Sequence, residues 1–160
     1  GGRPVRAAVL EALATDPYFE VRAAAARLLG NQVEPGDAEV EAALCAALDD
    51  HADAVLVEVL AALASIGSRP DLLERLRFFY VHRDWRCRHE TVHALDRLLE
   101  RGVLRADDVA GDVEQILSTS PNFNPTFPLA DSIESLARRI RDNQIHDGAR
   151  EGREAAHAVN

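Results

Sequence analysis

Apolar positions recur along this chain with a helical period, and turn-forming residues interrupt them at short intervals. Residues 4–14 (PVRAAVLEALA) open the pattern. Residues 37–48 place Val40, Ala43, Leu44, Ala47 and Leu48 on one face, and 70–80 place Leu72, Leu73, Leu76, Phe79 and Tyr80 likewise. Between them lie three stretches that align without gaps: VRAAAARLL at 21–29, VLVEVLAAL at 55–63 and CRHETVHAL at 87–95. Their offsets are 34 and 32 residues, and each follows an acidic approach: Asp16-Pro17, Asp49-Asp50 with Asp53, and Asp84-Trp85. The Asp-Pro pair predicts a helix start, with Asp16 capping free amides and Pro17 in the first turn. Self-similarity at this period predicts helix pairs stacked into a quasi-linear array. The expectation is therefore an all-α fold, an α-solenoid of about four antiparallel helix pairs.

Beyond Gly102 the period decays. Residues 107–118 still read as a helix. The segment 118–128 (STSPNFNPTFP) carries three prolines and reads as a loop, and an amphipathic helix then runs from Leu129 to about Ile145. A solenoid needs an atypical terminal unit over its open core, so 103–146 is expected to be a capping repeat, with Phe123 and Phe127 plugging the last groove. Residues 147–160 are expected to be a frayed tail, and the Gly1-Gly2 start without Met suggests a cleavage scar over 1–3. The repeats proper are assigned to 4–102.

Several residues carry a resemblance. Asp16, Val21, Arg22, Ala25, Leu28, Leu29 and Gly30 resemble the second helix of HEAT repeats, especially the short form first noted in phycobilisome lyases. Asp84, Cys87, Arg88, Ala94 and Leu95 follow the same phrase, and the middle copy keeps Val55, Ala62 and Leu63 but has Leu56 where the family has Arg. The resemblance implies a concave surface lined by the second helices. Their outward stripe then assembles Ala23 and Arg27, Val57, Ala61 and Ala64, and His89, His93 and Asp96 into one groove with a small apolar floor. Such a floor suits a protein or peptide, so the expected function is a non-catalytic interaction or regulatory module of a larger, bacterial-type protein.

Composition adjusts this picture in three ways. There are 27 Ala, no Lys and no Met, and the net charge is -9, which argues against nucleic acid as a partner. No apolar run reaches membrane-spanning length and no signal-like leader appears, so the chain reads as cytoplasmic. Cys45 and Cys87 lie in helical patterns without metal-type spacing and read as core thiols, with no cofactor expected. Within the acidic average, residues 75–89 form a basic, aromatic stretch, in which Arg77, Phe78, Arg83 and Arg86 are candidates for contact with an acidic partner.

One motif points to different chemistry. Residues 89–93 (HETVH) satisfy the zinc-hydrolase pattern HExxH, two His one helical turn apart and a Glu to activate water. The phrase is also similar to the His-Glu pairs of deoxyhypusine hydroxylases, HEAT-like di-iron enzymes, though the equivalent positions here are Ala23-Ala24 and Val57-Glu58. The alternative is thus a metal-dependent HEAT-like enzyme, di-iron hydroxylase-like or lyase-like, with the metal held by Glu58, His89, Glu90 and His93.

Overall fold

The computed structural model describes residues 2–118 and 127–159. Eight α-helices account for the described regular structure: α1 (Gly2–Thr15), α2 (Phe19–Gln32), α3 (Ala38–Ala47), α4 (Asp53–Ile66), α5 (Leu72–Arg77), α6 (Trp85–Glu100), α7 (Ala106–Ser118) and α8 (Phe127–Ala158). Helices α2, α4, α6 and α8 pack side by side in chain order as an inner layer, while α1, α3 and α7 lie against it from outside. The three aligned copies seen in the sequence are the inner helices α2, α4 and α6.

Each turn into α2, α4 and α6 uses an aspartate, although not always as a cap. Asp16 accepts from the Tyr18 amide and Asp50 from the Ala52 amide, both at 2.9 Å, so these side chains form tight turns two residues ahead of the N-cap. Asp16 and Pro17 consequently precede α2 instead of opening it, and the N-cap is Tyr18. Asp84 combines both roles: it is the N-cap of α6 and accepts from the Arg86 amide. Asp37 caps α3 through the Val40 amide and also holds Arg6 of α1, an ion pair that keeps its carboxyl below the usual range.

The core is aliphatic, with Leu44, Leu60, Leu63, Ile66, Leu76, Leu95, Leu98 and Leu136 fully buried. Alanine and glycine set how closely the inner helices approach. A Cβ built on Gly30 would lie 2.8 Å from both Cα and Cβ of Ala62, so α2 and α4 meet almost backbone to backbone there. Glu41 is buried on α3, where its carboxylate accepts from the Ser68 amide (3.0 Å), the Ser68 hydroxyl (2.7 Å) and the Arg69 amide (3.1 Å), tying the α4–α5 loop to the preceding repeat.

The C-terminal region departs from expectation. Leu129, Ile133, Leu136 and Ile140 do bury themselves as a fourth inner helix. The helix does not fray after Asp147, however, but continues to Ala158. Polar contacts support part of the extension: Gln144 Nε2 donates to Asp107 at 3.0 Å, Arg105 lies 3.9 Å from Glu151, and Arg150 meets Glu154 one turn on. Ser118 ends α7, while Phe127 and Pro128 open α8, so only the middle of the expected 118–128 loop lies between these helices. The expected plug of Phe123 and Phe127 lies outside the described side chains.

Candidate functional site

The inner layer bears a cleft of about 340 Å³ across three successive helices. Helix α2 contributes Arg27, Gly30 and Asn31, α4 contributes Glu58, Ala61, Ala62 and Ser65, and α6 contributes His89, Glu90 and His93. Four expected groove residues, Arg27, Ala61, His89 and His93, are thus brought to one place. Four are not. Ala23 (7% exposed) and Ala64 (1%) are buried in helix packing, where small side chains permit close approach. Val57 is half-buried against the hydrophobic core, and Asp96 is engaged by Arg139 of α8. Rotating one face of a helix toward the groove also rotates its flanks into the joints with neighbouring helices, which removes Ala23 and Ala64 from the surface.

The floor of the cleft is small, made by Gly30, Ala61 and Ala62 where Val57, Ala61 and Ala64 were expected, and its walls are charged. Arg27 reaches across to α4 and donates from Nε (3.1 Å) and Nη2 (2.7 Å) to one oxygen of Glu58, which holds the guanidinium pKa above its ordinary value. Glu90 has no hydrogen bond or ion pair among the described residues. Burial raises its carboxyl above the usual range; His93 opposes that shift, and the charge of Glu58 adds to it. His89 turns toward α8, with Nδ1 2.9 Å from Ser132 Oγ and its ring 6.2 Å from that of Trp85, and burial lowers its pKa.

Among the described residues, no three His, Cys, Asp or Glu side chains converge as a metal ion would require. Glu58 is engaged by Arg27, and His89 lies against Ser132. Within HETVH the intervening Thr91 and Val92 are buried.

The basic, aromatic stretch is largely neutralised. Arg77 Nε donates to the buried Asp112 at 3.0 Å; Asp112 also accepts from Tyr80 Oη at 2.7 Å, a contact that, after burial, raises the phenol pKa. Arg75 meets Asp49, Arg86 meets Asp84, and Arg88 donates to the His82 carbonyl at 2.7 Å. Arg83 lies 3.6 Å from Asp53, and Phe78 stands 77% exposed. The surplus of cations legible in the sequence is therefore met by acids from neighbouring turns and from α7.

Sequence reasoning had treated Glu58 and Glu90 only as metal ligands and had not placed them in the binding groove. The available signal was their shared register: both stand three residues after the first position of the aligned repeat. Among the described residues no helix is long and apolar enough to cross a membrane. No curated protein and no solved structure matches the chain. The family model for HEAT repeats matches residues 6–98, the span that holds the paired helices and the whole cleft, and the chain belongs to the HEAT-repeat family.

Proposed function

We propose that this protein is a HEAT-repeat interaction module that holds a partner protein in the groove across α2, α4 and α6. HEAT repeats commonly mediate protein–protein interaction. The observation that carries the reading to this surface is the cleft itself, a concavity of about 340 Å³ with a floor of Gly30, Ala61 and Ala62. A floor without long side chains admits another chain close to the helix backbones, and the charged walls supply orientation. The reading needs no catalytic residue.

The test is partner capture with the full chain. Ala61→Trp fills the floor, whereas Ser135→Trp adds the same bulk on the exposed side of α8. The expected result is a partner recovered by the unmodified chain and by Ser135→Trp but lost from a folded Ala61→Trp variant. Equal recovery by all three would move the binding surface elsewhere.

A further inference from the structure

The repeat register suggests what the groove receives. In the first joint of the inner layer, Arg27 of α2 extends over Glu58 of α4. One repeat later the aligned positions are Ala61 and Glu90. The carboxylate has been kept while the cation that would cover it has been replaced by a side chain ending at Cβ. Glu90 accordingly has no hydrogen-bond or ion-pair partner among the described residues, and the cleft opens beside it, lined by Ala61, Ala62, Ser65 and His93.

We infer that the groove receives an arginine side chain of the partner protein, seated above Ala61 on Glu90 in the place that Arg27 takes on Glu58 one repeat earlier. The inference rests on the groove being the binding surface. The molecule's own Arg27–Glu58 pair supplies the template, a guanidinium donating two N–H groups to a carboxylate that is 23% exposed. Two neighbouring groups are occupied, Arg27 by Glu58 and His89 by Ser132, and His93 is the side chain that shares the seat beside Glu90. A planar guanidinium fits better than an ammonium because its fork can engage Glu90 while its face lies along the small floor. The net charge of -9 on the whole chain draws a basic partner segment toward the surface from a distance.

The test uses the isotope-labelled full chain titrated at low ionic strength with N-acetyl-arginine amide and with its citrulline counterpart, which has nearly the same shape and no charge. Amide shifts are expected at Ala61, Ser65, Glu90 and His93, with the citrulline compound about tenfold weaker or worse. Glu90→Gln, nearly isosteric, should weaken the arginine compound by a similar factor while the circular dichroism spectrum stays unchanged. Ala61→Arg should close the seat from within, abolishing the shifts. Equal binding of the two compounds, full binding by Glu90→Gln or by Ala61→Arg, or shifts confined to another surface would each overturn the assignment. Loss of a protein partner on Ala61→Trp without any arginine preference would leave the groove reading standing and remove only this inference. Arginine binding at the seat with partner capture indifferent to Ala61→Trp would remove the groove reading and, with it, the partner protein as the source of the arginine, leaving only a seat for a guanidinium.

Discussion

The α2–α4 joint and the α4–α6 joint are successive repeats of one packing, yet only the first is closed by charge at both levels. At its lower end Arg22 donates to Asp50 at 2.8 and 3.1 Å and to the Asp16 carbonyl at 2.9 Å; at its upper end Arg27 covers Glu58. The aligned positions one repeat on are Leu56 and His82 below, Ala61 and Glu90 above. The second joint relies instead on apolar packing, on Asp53 facing His82 and Arg83, and on Arg101 donating to the Ala64 carbonyl at 2.9 Å. One packing geometry can therefore serve as a sealed joint or as a joint with an open seat, depending on two or three side chains. Stability is concentrated in the first and chemical opportunity in the second.

The comparison can be broken most severely at the sealed joint. Arg22 and Asp50 are about a tenth exposed, so Arg22→Ala strands a buried carboxylate and should destabilise the fold by about 3 kcal/mol in urea unfolding. Burial alone would raise the Asp50 pKa, but the Arg22 hydrogen bonds, the Ala52 amide and the Arg22 charge outweigh it and the net shift is downward. A depressed carboxylate pKa stabilises above its unfolded value and loses that contribution as pH falls through the folded one. The gap between wild type and Arg22→Ala should thus be full at neutral pH and shrink below about pH 4.

Gly30→Val, which forces a Cβ onto the Ala62 backbone, should come next, with a loss of about 2 kcal/mol, whereas Gly111→Ala, with nothing within 4 Å, should gain about 0.5–1 kcal/mol. Thermal melts of the two variants would separate crowding at the joint from a general effect of removing glycine. Arg27→Ala breaks an exposed pair and should lower the melting temperature by no more than about 2 °C. Glu90→Gln should raise it slightly, by about 1–3 °C, because the folded state holds that carboxylate above its ordinary pKa and is relieved when the charge is removed. A drop on Glu90→Gln would mean that Glu90 already has a stabilising partner. Finally, Cys87 lies in the second joint with its thiol pushed up to about 12, chiefly by burial. It should alkylate more than about a hundredfold more slowly than the half-buried Cys45 in the native protein, and comparable rates would show that the joint opens readily.

The array was legible because its repeat is written in three aligned phrases, and because Pro, Gly and Asp mark the turns between them. The groove was legible in part. A helical wheel gathers Arg27, Ala61, His89 and His93, which line one cleft, but cannot separate a cleft-facing position from one wedged in the joint, where Ala23 and Ala64 are buried. Glu58 and Glu90 escaped because a search for an apolar floor passes over its charged walls. The long α8 was cut short for a similar reason. Past Ile140 the face that continues toward the body carries Asn143, Asp147 and Glu151, which line a cleft with Leu99, Leu104 and Ala106, so no apolar stripe announces it. The ion pairs that absorb Arg77 and Arg86 depend on Asp112, a chain-distant partner, in one case and on Asp84, a near neighbour, in the other.

Glu41 gives the array a mechanical character that its helices alone would not have. Bending at the link between the second and third repeats would peel the Ser68 and Arg69 amides and the Ser68 hydroxyl from a buried carboxylate. This contact therefore stiffens the link between the second and third repeats. A partner lying across α2, α4 and α6 would meet a surface whose curvature is set before it arrives.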